Sequence, residues 1–168
     1  MGIVQDDVPL YFDCANDAGL AVAGLNFPGY AQYETGPIEG KANVAAYEFP
    51  LWVVANFETV DQVQEALANT AIVDKPINEK FPSSLLHWII GDASRSIVVE
   101  YTEAGMQVFH ADFAVLTNQP GFAWHAENVR NYINVTPDVP GPLSWRTGEL
   151  TAYGSGGGGG GPPRAGVS

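Results

Sequence analysis

Thr59 and Gln62 stand three residues apart, just ahead of an apolar series, Val60, Val63, Ala66 and Leu67, that a helix would gather on one face. A hydroxyl able to accept from the third helical N–H, paired with an amide able to reach back, marks a capped helix start. The spacing predicts a helix running to about Ala71, with one buried stripe and one wet face. Such a helix needs an apolar partner, and the runs on either side of it read as strands. Gly2–Val4, Leu10–Phe12 and Gly19–Phe27 precede it. Leu85–Ile90, Ser96–Tyr101, Met106–His110 and Ala114–Thr117 follow, the second and third of these joined by the turn Thr102-Glu103-Ala104-Gly105. Residues Ala42–Phe57 hold Val44, Tyr47, Phe49, Leu51, Trp52 and Val54 and read as a buried helix, with Pro50 admissible only near a first turn. A short helix is expected near Ala126–Tyr132. Strands, then helices, then an antiparallel meander describe an α+β protein with segregated layers rather than a βαβ alternation.

Charge narrows the function classes. Seven Lys plus Arg against 19 Asp plus Glu give a net charge of −12, which repels phosphate backbones and anionic lipid, so no nucleic-acid partner is expected. No apolar run has membrane-spanning length and no basic-then-apolar leader opens the chain, so we expect a cytoplasmic protein without membrane insertion. The single Cys14 allows no internal disulfide, and His87, His110 and His125 lack ligand spacing, so no metal is expected. No Gly-rich phosphate loop is present, so no cofactor is expected either, and no G-x-S-x-G elbow marks a serine nucleophile. Cys14, among small and apolar neighbours, reads as a packing residue rather than a nucleophile. The loop 74–83 carries Ile77 and Phe81 between prolines and charges; they either form an exposed apolar lip or tuck into the core.

Two asparagines occupy matching contexts. Asn26 ends a small-residue strand before Phe27-Pro28-Gly29, and Asn118 ends Val115-Leu116-Thr117 before Gln119-Pro120-Gly121. A rigid strand end can present an amide to a developing oxyanion without a change of charge. Capping of each asparagine's own turn is the commoner use of such a residue and stands as the alternative.

The segments YFDCANDAGLAVAGLNFPGY, ANVAAYEFPLWVVANFETVDQVQEAL, LLHWIIGDASRSIVVEY and VLTNQPGFAWHAENVRNY resemble the choloylglycine hydrolase family, and within it the bifidobacterial bile salt hydrolases. The resemblance implies an amino-terminal-nucleophile hydrolase with a four-layer αββα sandwich. It implies cleavage of glycine or taurine from conjugated bile acids through a cysteine thioester, in a homotetrameric parent enzyme. Penicillin V acylases share the fold and remain an alternative, as does a non-catalytic bile-acid-binding remnant. On this resemblance Asn26 falls to the oxyanion hole and Asn118 to the second active-site asparagine, while Ile77, Phe81 and Leu86 would wall the steroid.

The pattern also departs from the family's. The nucleophilic cysteine belongs at the start of the mature chain, whereas here Met1 precedes Gly2 and Cys14 is internal, without a free α-amino group to accept its proton. The family's early arginine and aspartate, and its later arginine, have no counterpart in a matching motif. The expectation is an internal fragment, with residues 1–153 the central part of the domain and 154–168 a flexible Gly/Pro-rich tail. Alone, such a fragment is expected to be inactive and to fold poorly.

Overall fold

A computed structural model describes residues 2–5, 8–133, 135 and 141–151. The chain divides into two units, Met1–Trp124 and His125–Ser168. The tail 154–168 lies outside the described residues.

In the first unit, β1 (Gly2–Gln5) and β2 (Val8–Tyr11) form an antiparallel hairpin. The main sheet has five strands: β3 (Asp13–Ala15), β4 (Ala21–Asn26), β7 (Leu86–Gly91), β8 (Ser96–Thr102) and β9 (Gly105–His110), in the order β3-β4-β7-β8-β9 and antiparallel throughout. The meander expected from Leu85 onward is β7-β8-β9. Its second turn closes at Gly105, whose φ of 86° is one that side chains disfavour.

Between β4 and β7 the chain makes β5 (Ala42–Ala45), α1 (Phe49–Asn56), α2 (Val60–Leu67) and β6 (Thr70–Val73), with β5 and β6 paired in parallel. The run read as one helix over Ala42–Phe57 is therefore two elements. Its first residues take the extended form because β6 offers a ladder to them, and α1 begins where Pro50 can occupy its first turn without an unmade hydrogen bond. The helix predicted from Thr59 also ends earlier, at Leu67, and Ala71 is a buried strand residue of β6. The predicted strand Ala114–Thr117 has no ladder; Ala114 sits at φ 49° and the chain there is irregular.

The capping box at the start of α2 forms as expected. Thr59 Oγ1 accepts from Gln62 N–H at 3.3 Å, and Gln62 Oε1 accepts from Thr59 N–H at 3.3 Å. Thr59→Ala should therefore lower stability by about 1 kcal/mol, read as a shift in the urea midpoint with unchanged slope. Asp92, in the β7–β8 turn, adds a bond from outside: its Oδ2 accepts from Val60 N–H at 2.8 Å. The Ser94 hydroxyl and the N–H of Val60 hold its carboxyl well below the usual carboxylate range.

Alternation along the strands gives the main sheet two faces. Leu86, Trp88 and Ile90 of β7 and Ile97, Val99 and Tyr101 of β8 join Phe49, Val53, Val60, Val63 and Leu67 of the helices in one core. Trp88 is the largest side chain in it, fully buried, with Phe49 at a ring separation of 4.7 Å. The opposite face also carries buried groups, among them His87, Val98 and Glu100.

The division between the units falls within α3 (Phe122–Asn128), which continues into a 3₁₀ turn at Val129–Tyr132, as the helix expected near Ala126 suggests. In the second unit β10 (Leu143–Trp145) and β11 (Gly148–Leu150) pair as an antiparallel hairpin that the sequence reading did not anticipate. No helix among the described residues is long and apolar enough to cross a membrane.

Candidate active site

The two asparagines meet. Short β3 covers only the first half of β4, its last contact being Gly24 N–H to Phe12 O at 2.7 Å. Beyond that point the outer edge of β4 is taken by residues 118 and 119. Asn118 Oδ1 accepts from Asn26 N–H at 3.1 Å, and Gln119 N–H donates to Asn26 O at 3.2 Å. Because the partner of Asn118 Oδ1 is a backbone donor, the orientation of that side-chain amide is fixed. The peptide that follows, Gln119–Pro120, is cis.

Asn26 itself keeps its side chain unspent. The residue is exposed, and its amide makes no hydrogen bond among the described residues. It does not cap the Phe27-Pro28-Gly29 turn, which closes instead through Tyr30 N–H and Ala31 N–H to Phe27 O at 3.3 and 3.0 Å. A carboxamide fixed at its backbone and free at its tip can donate to an anionic oxygen.

The three residues expected to wall a steroid separate into two kinds. Ile77 and Phe81 are brought together by Ile77 N–H to Phe81 O at 3.1 Å, around Asn78, whose Oδ1 accepts from Lys80 and Phe81 N–H at 2.8 and 3.0 Å. Phe81 is 43% exposed and Ile77 half-buried. Leu86, by contrast, is only 4% exposed and belongs to the core beneath. The loop 74–85 leads directly into β7, where Leu86 pairs in register with Asn26. Tyr33 pins that entry: its hydroxyl accepts from Leu86 N–H at 2.8 Å and faces Ser84 O and Leu86 O at 2.9 and 3.0 Å. Burial pushes the Tyr33 phenol well above its usual range, so it stays a neutral donor.

Cys14 lies in β3, opposite Val22, half-buried against the core. Burial raises its thiol pKa, which is the wrong direction for a nucleophile. Among the described residues no group of three or more His, Cys, Asp or Glu could hold a metal ion.

One pair escaped the sequence reading. His87 and Glu100 are buried on neighbouring strands, with Nδ1 and Oε1 3.0 Å apart. The signal was available as the one polar residue of LHWIIG and the one charged residue of SIVVEYT, each among apolar neighbours, since a buried polar group needs a partner.

The family model for linear amide C–N hydrolases, choloylglycine hydrolase family, matches residues 1–165. The bile salt hydrolase/transferase of Bifidobacterium longum subsp. longum is 54% identical over 156 residues, 93% of this chain and 49% of that protein. A crystal structure of a variant conjugated bile acid hydrolase from Clostridium perfringens superposes with a TM-score of 0.83 at 45% identity, covering 94% of this chain and 48% of the other. Penicillin V acylase from Agrobacterium tumefaciens, at a TM-score of 0.60 and 24% identity over 76% of this chain, shares the fold. The chain spans about half the length of the curated relatives it matches.

Proposed function

Because the chain belongs to the choloylglycine hydrolase family of linear amide C–N hydrolases, we propose that it serves the hydrolysis of glycine- or taurine-conjugated bile acids. The observation that carries the reading is the Asn26 carboxamide, exposed and unspent while its backbone is held on both sides. Attack on an amide carbonyl develops a tetrahedral oxyanion, and a fixed neutral donor stabilises that charge more than it stabilises the ground-state carbonyl. Asn26 is that donor. Asn118 fixes the Asn26 backbone through its own Oδ1 and so sets the direction of the hole. The nucleophile is the amino-terminal cysteine implied by the family resemblance, and Cys14 does not take its place.

Ile77 and Phe81 supply apolar surface for a steroid. Removing Phe81 to alanine should raise KM for a conjugated bile acid about fivefold, roughly 1 kcal/mol of lost apolar burial, with kcat nearly unchanged. Steady-state kinetics on the protein expressed from its own gene check this, and an unchanged KM would remove Phe81 from the wall.

Strand β8, buried on both faces, and the buried His87 beside it on β7 support the sheet's place as an inner layer of an αββα sandwich. A cytoplasmic location and a homotetramer, which the resemblance implies, belong to the same proposal, and sedimentation equilibrium tests the second. The deciding experiment measures release of glycine from glycocholate and of phenoxyacetate from penicillin V by the protein expressed from its own gene. Faster release of glycine is expected. Faster turnover of penicillin V would move the assignment to the acylases, and tight bile acid binding without product would make the pocket a binding site alone.

A further inference from the structure

We propose that His87 and Glu100 form a buried positioning pair that holds the two asparagines in register, an inference that rests on the amide-hydrolase reading for its kinetic consequences but not for its geometry. The His87 ring is fully buried and touches both sides of the site. Phe27, next to Asn26, stacks on it at 4.1 Å with planes 8° apart. Thr117, next to Asn118, presents its carbonyl oxygen to His87 Nε2 at 2.9 Å. Each asparagine is thus one residue away from a group that the imidazole holds.

A carbonyl only accepts, so Nε2 must carry a proton and donate to Thr117 O. Nδ1 faces Glu100 Oε1, and one more proton lies between those two atoms, whether the pair is written as imidazolium with carboxylate or imidazole with carboxylic acid. Glu100 therefore holds the ring so that Nε2 faces Thr117. The same oxygen accepts from Phe122 N–H at 2.8 Å, which ties down the far end of the loop holding Asn118. Gly121 completes the fit, since a Cβ there would sit 3.0 Å from Glu100 Oε2. Among the described residues the one ladder bond of loop 117–122 is Gln119 to Asn26, and the bonds to His87 and Glu100 add to it in placing Asn118.

The test is His87→Phe, which keeps an aromatic ring under Phe27 and removes both nitrogens, set against His87→Gln, whose amide can still donate to Thr117 O. Two readouts are taken on the protein expressed from its own gene: hydrogen exchange of the Asn26 amide, and kcat and KM on glycocholate. In His87→Phe the Asn26 amide should exchange faster while the Ile97–Val99 amides keep their protection. Its kcat should fall about 100-fold, the cost of a misplacement near 1 Å, with KM nearly unchanged. His87→Gln should recover part of both. Unaltered Asn26 exchange and kcat in a folded His87→Phe would overturn the proposal. Should that variant fail to fold, Gly121→Ala decides, since its methyl displaces Glu100 without opening the core: a smaller change of the same sign is expected, and none would overturn it. If the parent protein releases no glycine, the functional reading fails by itself and the exchange measurement still judges the pair.

Discussion

Asn26→Ala is expected to lower kcat on a conjugated bile acid about 100- to 1,000-fold while leaving KM within a small factor, the signature of a donor used mainly in the transition state. The structural ground is that the side chain is exposed and makes no hydrogen bond among the described residues, so its removal costs the fold little. The backbone groups of residue 26 that meet Asn118 and Gln119 survive the substitution. Asn26→Asp should do no better than alanine, because a carboxylate has no N–H to offer and its charge repels the oxyanion. Equal unfolding midpoints with a collapsed kcat would separate chemistry from stability. An alanine variant with parental kcat would remove Asn26 from the oxyanion hole.

The largest loss of stability is expected from Trp88→Ala. The indole is fully buried, ringed by Phe49 at 4.7 Å and Tyr33 at 6.1 Å, and it fills the gap left by Gly24 on the neighbouring strand. Deleting it should cost about 3–5 kcal/mol, the transfer of a large aromatic plus the cavity left behind. Trp88→Phe should cost much less than alanine because its ring keeps most of the buried volume; both substitutions also delete the Trp88 Nε1 donor, which is buried without a hydrogen-bond partner among the described residues and whose loss offsets part of the cost. Urea denaturation of the three proteins tests the ranking, and equal midpoints for the alanine and phenylalanine variants would contradict it.

What could be read from the sequence follows from how local its cause is. The start of α2 was legible because Thr59 and Gln62 close their box within one turn. Strands β7 and β8 were legible from β-branched and aromatic residues between turns. The error at Ala42–Phe57 arose because Val44 is buried in a parallel ladder whose partner strand lies beyond two helices, and apolar density alone does not distinguish that from a buried helix. Ala114–Thr117 looked like a strand, yet the Thr117 carbonyl is claimed by an imidazole rather than a ladder. The matching contexts of Asn26 and Asn118 marked them as a pair of interest. That they bond to each other depends on where β3 stops, which no local pattern encodes.

The route of the chain also bears on the order in which its parts can assemble. Strands β7, β8 and β9 follow one another through short turns, so their contacts close small loops and form early. Strand β4 pairs with β7 only after the whole excursion through β5, α1, α2 and β6 has been gathered in, and that closure carries a larger entropic cost. The ladder that ends at Asn26 and Leu86 is therefore expected to form late in folding, after the local meander. Asn26, the proposed oxyanion donor, sits on that seam, and it is expected to reach its place only when the non-local half of the sheet locks onto the local half.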